Sequence, residues 1–255
     1  MGFDVPADAY GRFMGRWADP LAGQVADLAD VRRGQRALDV GCGPGALTAE
    51  LVTRLGAGSV AAIDPSPPFV AAVRARFLEV DIRQGVAEEL PFDDGTFDVV
   101  LAQLVVHFMT DPVAGLRQMA RVARPGGWVA ACVWDHGGGR GPLSLFWRAM
   151  RDIDPAASDE SALAGAREGD LARLFETAGL GEVEASVLSV RVGFATFEDW
   201  WEPYTLGVGP AGDQVARLTA VRREALRVRC AELLPAPPFE LRASAWAVRA
   251  RSGAG

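Results

Sequence analysis

Residues Ala37 to Leu47 read A-L-D-V-G-C-G-P-G-A-L and constrain the fold more than any other stretch. A short apolar strand runs into a glycine turn, and the turn opens a helix. Gly41, Gly43 and Gly45 let the backbone bend sharply and keep side chains away from a ligand. The helix expected from Ala46 presents unpaired N–H groups at its start. Such a unit holds a small polar ligand at the edge of a parallel sheet.

The rest of the chain extends the pattern. Strands are expected over Arg36–Val40, Val60–Ile63, Val80–Gln84, Phe97–Ala102 and Trp128–Trp134, with helices over Ala46–Leu55, Pro68–Phe77 and Pro112–Ala123. This alternation implies parallel strands with right-handed crossovers. Tyr10–Ala29 has helical spacing, with a break expected at Asp19-Pro20. After Trp134 the character changes. Asp135–Arg140 reads as a flexible loop, and helices follow over Leu143–Arg151 and Asp170–Ala178. Phe197–Leu234 reads as largely helical, interrupted by G-V-G-P-A-G. Val183–Val192 and Phe239–Ala250 alternate as an antiparallel pair of strands. One domain spanning 1–255 is expected: a ligand-binding core over 30–135, helical insertions within 136–238 and a last strand over 239–250.

Two ligands suit the glycine turn. Gly41, Gly43 and Ala46 fit the dinucleotide pattern G-x-G-x-x-G/A, with Asp64 at the distance of a ribose-binding acid. Asp39, just before the turn, favours the second ligand. A carboxylate there repels a diphosphate but suits an ammonium or sulfonium. S-adenosylmethionine carries both, lacks phosphates and has a ribose for Asp64.

D-V-G-C-G-P-G resembles motif I of the class I S-adenosylmethionine-dependent methyltransferases. A-A-I-D-P-S, Ala61 to Ser66, is similar to that family's acidic second motif. Gly85 to Val100 resembles its adenine-side loop and fourth strand, and Arg121 to Val129 the turn into its fifth. The resemblance points to the small-molecule enzymes of the ubiquinone- and menaquinone-biosynthesis type. It implies a Rossmann-like, doubly wound seven-stranded sheet, mostly parallel with an antiparallel last strand, and a helical lid. It implies S-adenosyl-L-methionine as cofactor, held by Asp39, Gly41, Cys42, Gly43, Asp64, Pro65, Val86, Ala87 and Gln103. Tyr10, Met14 and Arg16, in Y-G-R-F-M-G-R-W, would cover it. Relatives often carry an acid where Val86 stands, so adenine recognition here would fall to backbone groups of Val86 and Ala87. Cys42 is expected as a small packed residue.

His107 and His136 are the only histidines, and each follows a strand whose carboxyl end should face the site. Imidazole titrates near neutral pH and suits removal of a proton from a substrate hydroxyl. Both are candidate catalytic groups and equally candidates for packing or exposure. Trp134, Phe146, Trp147, Phe197, Trp200, Trp201 and Tyr204 concentrate aromatic surface that could wall an apolar acceptor or fill the lid's core.

Composition narrows the partners. A net charge of −7 argues against phosphate-backbone binding, and the arginine-rich Arg222–Arg229 reads as a solvated helix face. Cys42, Cys132 and Cys230 lack metal-ligand spacing, so no metal site is expected. The N-terminal M-G-F-D-V-P has no apolar signal core, Pro6 replaces the Ser/Thr of a myristoylation signal, and no apolar run approaches membrane-spanning length. A soluble cytoplasmic monomer or homodimer acting on a small methyl acceptor is expected. A nicotinamide-dependent oxidoreductase and a non-catalytic S-adenosylmethionine binder remain the alternatives.

Overall fold

A computed structural model describes residues 7–253, so the N-terminal M-G-F-D-V-P lies outside the described residues. In chain order the elements are α1 (Ala7–Tyr10), α2 (Arg16–Leu28), β1 (Ala37–Val40), α3 (Ala46–Leu55), β2 (Val60–Asp64), α4 (Pro67–Arg76) and β3 (Asp81–Gln84). Then come β4 (Phe97–Gln103), α5 (Pro112–Val122), β5 (Ala123–Trp134), α6 (Ser144–Ile153) and α7 (Asp170–Thr177). The chain closes with β6 (Gly181–Phe194), α8 (Phe197–Trp201), α9 (Gly209–Arg217), α10 (Ala220–Leu233) and β7 (Phe239–Arg251).

The strands form one seven-stranded sheet in the order β3-β2-β1-β4-β5-β7-β6. β7 runs antiparallel to both its neighbours, β5 and β6, and the other pairs are parallel. The expected doubly wound sheet with its antiparallel last strand is therefore the fold. Strand order reverses between β1 and β4, and ligands of such sheets bind in the crevice at that switch point.

The pleat sorts the side chains. Leu38, Val40, Val100 and Ala102 join the core under α5 and α7, which contribute Leu116, Met119, Leu171 and Phe175. Ala37, Ala62, Val99 and Leu101 join the opposite core, under α2, α3 and the lid helices. Alternation puts Asp39, Asp64 and Gln103 on this second face.

Three expectations about the chain's course fail. Helix α2 runs through Pro20 without a break. An interior proline costs about 3 kcal/mol. Trp17, Leu21 and Val25 are buried on one stripe of that helix, at roughly 1.5–3 kcal/mol each, so packing outweighs the proline. A π-helical turn, Gly11–Gly15, sits just ahead of the helix instead. The second failure is Asp135–Arg140, which is closed by hydrogen bonds and not a loose loop. The buried Asp135 carboxylate accepts from Gly138 N (2.8 Å), from Trp246 Nε1 (3.0 Å) and from Arg140, while its carbonyl accepts from the N–H groups of Arg140 and Gly141. The G-V-G-P-A-G interruption is also shorter than expected, because α9 already begins at Gly209. Among the described residues, no helix is long and apolar enough to cross a membrane.

Candidate active site

The glycine turn follows β1 directly. Gly41, Gly43 and Gly45 all have positive φ, at 71°, 52° and 95°, which only glycine adopts cheaply. Their surroundings differ. A Cβ on Gly41 would meet Val105 at 2.5 Å, and one on Gly45 would meet Val73 at 3.2 Å. These two glycines let neighbouring protein approach, and Gly43 alone opens onto free space.

Asp64 ends β2 and is tied to this turn. Its Oδ2 accepts from Gly43 N and its Oδ1 from Ser66 N, both at 2.8 Å. Each carboxylate oxygen keeps a second lone pair for a further donor. Burial raises the Asp64 pKa, and the two backbone N–H groups oppose that shift. Asp39 is fully buried. Its Oδ2 accepts from Thr48 Oγ1 at 2.6 Å, while Oδ1 has no partner. Burial lifts the Asp39 pKa to about 7. Gln103 ends β4 on the same face. Its amide donates to the Ala18 carbonyl at 2.9 Å, anchoring α2, and its Oε1 is buried without a donor.

The remaining predicted residues divide. Val86 is 45% exposed beside the buried Ala87, and Pro65 is exposed at the end of β2. Cys42 is buried, and its thiol is pushed well above its ordinary pKa by burial and by Asp39 and Asp64, so it is no thiolate nucleophile. Tyr10 lies in the field of Asp64; burial first and that charge second raise its phenol to about 12. Arg16 is not brought to the turn. Its guanidinium bonds the carbonyl and carboxylate of Asp199 at the start of α8 and lies over the Phe194 ring.

A second group of residues gathers past β4 and β5. Leu104 takes a φ of +63°, rare for a bulky side chain, and its N–H donates to the Cys132 carbonyl. That bend feeds a 3₁₀ turn, Val106–Phe108, which swings His107 inward. The closed Asp135 loop brings His136 towards it, with ring centroids 6.0 Å apart. Tyr10, Phe13, Met14, Leu104, His107, Phe108, Trp134, His136, Leu143, Glu160, Val208, Gly209 and Pro210 line a narrow cavity of about 40 Å³. Burial holds both imidazoles neutral: His107 is pushed well below its ordinary pKa and His136 down to about 4. His136 is therefore not an exposed loop residue, its side chain being buried against Glu160.

Glu160 is the charged cavity residue that the sequence did not flag. It stands among other acids in S-D-E-S, with no motif around it. In the structure it is buried, its Oε2 accepts from Trp147 Nε1 at 2.9 Å, and the same oxygen lies 4.0 Å from His136 Nδ1. Of the predicted aromatic wall, Trp134 lines this cavity, whereas Phe146 and Tyr204 stack on each other in the lid core.

Comparison with known proteins places this geometry in context. Residues 38–131 match the methyltransferase domain family. The ubiquinone/menaquinone biosynthesis C-methyltransferase of Idiomarina loihiensis is 41% identical over 110 residues, covering 40% of this chain and 44% of that protein. The demethylmenaquinone methyltransferase of Bacillus licheniformis is 30% identical over 186 residues, covering 66% of this chain and 78% of that protein. The chain spans about half the length of several other curated relatives. The YcgJ protein of Bacillus subtilis superimposes with a TM-score of 0.58 at 17% identity, covering 92% of this chain and 98% of that one, a likeness of fold.

Proposed function

The chain belongs to the class I S-adenosylmethionine-dependent methyltransferases, and on that premise we propose that it methylates a small, largely apolar acceptor seated at the carboxyl ends of β4 and β5. The observation that carries the reading is the unpartnered Asp39 Oδ1, buried at the glycine turn, with the unpartnered Gln103 Oε1 on the same face. Two buried acceptors without donors suit a ligand that brings an ammonium. They disfavour the diphosphate of a nicotinamide cofactor.

When bound, S-adenosylmethionine supplies a methyl group already activated on a sulfonium. In this reading Asp64 accepts from the ribose hydroxyls, Gly43 leaves room for the ligand, and Asp39 and Gln103 receive the ammonium. Val86 and Ala87 border the adenine, and Tyr10 and Met14 stand between cofactor and acceptor. The cavity walls of Phe13, Leu104, Phe108, Trp134 and Leu143 favour a flat apolar acceptor. Alignment of the reactants supplies about 7–11 kcal/mol. A base such as His107 or His136 adds about 10²–10⁴ in rate. The net charge of −7 supports a small molecule over a nucleic acid.

Isothermal titration with S-adenosylmethionine and with NAD tests the cofactor, and labelled methyl transfer to a panel of phenols, amines and acids tests the activity. Heat from NAD alone would remove the reading. Cofactor binding with no label passed to any acceptor would leave a non-catalytic binder.

A further inference from the structure

Among the described residues, Glu160 is the one carboxylate that lines the cavity, and no arginine lines it. It reaches the cavity from the segment between α6 and α7, and Trp147 Nε1 fixes its Oε2. That oxygen faces Nδ1 of His136, whose Nε2 is buried without a partner; His107 Nδ1 is likewise unpartnered. Resting on the methyltransferase reading above, we propose that the acceptor is a flat phenol or enol. Its hydroxyl proton passes to His136, with Glu160 as the positioning residue that steadies the protonated ring.

The step balances. The acceptor O–H bond breaks and its proton goes to His136. The electron pair left on oxygen, or on the ring carbon it activates, forms the new bond to the methyl carbon. The carbon–sulfur pair stays on sulfur. A carboxylic acid acceptor would need a cation that the cavity lacks. An amine arriving protonated would compete for Glu160 instead of giving its proton to a buried imidazole.

The charges fit this division of labour. Burial keeps His136 neutral and a weak base by itself, so the ring takes a proton only while an ionised Glu160 stands opposite it. At 4.0 Å the carboxylate is not hydrogen-bonded to it, and such contacts often tighten only in the loaded enzyme. Burial raises Glu160 to about 7, Trp147 opposes that shift, and Asp159 adds to it. Asp159 and Asp135 also face His136, but Arg151 pairs with Asp159 and Arg140 with Asp135. The Tyr204 phenol faces Glu160 as well. Below about pH 7 Glu160 is protonated and the pair is unarmed, so transfer should rise with pH through about 7. The carboxyl, not an imidazole, then sets that limb.

The test uses the full chain without cofactor and 4-nitrophenol as probe, because absorbance reads its ionisation directly. Glu160→Gln keeps an acceptor for Trp147 and removes the charge. With only two histidines, ring-labelled protein gives two resonances, assigned with His107→Gln. In the wild type, bound nitrophenol should ionise at lower pH than free nitrophenol, with the His136 resonance shifting to its protonated position. In Glu160→Gln the bound anion should fall about tenfold at fixed pH, one unit of apparent pKa, and Glu160→Asp should restore part of it. Equal or greater ionisation in Glu160→Gln would overturn the proposal, as would failure of the wild type to bind nitrophenol. S-adenosylmethionine affinity should be unchanged in Glu160→Gln. Its absence in the wild type would sink the methyltransferase reading itself, separately from this one.

Discussion

At the scale of single residues, Asp39 carries opposed consequences for stability and binding. Its pKa rises from 3.8 unfolded to about 7 folded, so the folded form holds the proton more tightly. The stability that Asp39 removes therefore grows as pH climbs from about 4 to about 7 and stays removed above it. Asp39→Asn should raise the Tm at pH 8 by several degrees, at roughly 2–4 °C per kcal/mol for a chain of this size. That gain should shrink towards pH 4. The same variant should bind S-adenosylmethionine at least about tenfold more weakly, having lost the anion opposite the ammonium. A Tm difference that ignores pH in thermal melts would contradict the burial argument, and unchanged affinity by calorimetry would contradict the ammonium role. Asp64→Ala should also cost about tenfold or more in cofactor affinity, measured in the same titration. It should lower the Tm as well, because Gly43 and Ser66 lose their shared acceptor. Asp39 and Asp64 could be picked out in the sequence because each stands where a strand ends. Glu160 could not, because its burial comes from elements far along the chain.

At the scale of elements, the loop over Asp135–Arg140 shows how three consecutive glycines can be rigidly placed. Gly138 has no room for a side chain, since a Cβ there would stand 2.5 Å from the Asp135 carboxylate. That carboxylate gathers donors from its own loop and from Trp246 on β7. Asp135→Ala leaves those buried donors unsatisfied and should destabilise the fold by about 2–4 kcal/mol in denaturant titration. It should also release His136 from its place opposite His107. A loss below about 0.5 kcal/mol would mean that the glycines hold the loop unaided. Glycine-rich composition reads as flexibility because a sequence does not display the distant acceptor. In the same way Pro20 reads as a helix break until the buried stripe of α2 is set against it.

At the scale of the whole molecule, the lid is not a separable cover. Leu226 and Cys230 of α10 and Val215 of α9 lie in one continuous core with Val25 of α2 and Val99 of β4. Unfolding followed by far-UV circular dichroism and by tryptophan fluorescence should therefore give coincident transitions. Fluorescence loss ahead of the backbone signal would mean that the lid melts first. The sequence by itself determined the glycine turn, the acids at the strand ends, the alternation of strand and helix, and with it the sheet and its ligand class. These are local properties, set by the spacing of side chains along a helix or strand and by the dihedrals each residue tolerates. The tertiary structure alone decided that Val105, not a ligand, fills the space beside Gly41, that Gln103 anchors α2, and that Glu160 meets His136. It also decided the protonation of the buried groups. Desolvation and close approach belong to what surrounds a residue, and those surroundings arrive from segments that the linear chain holds far apart.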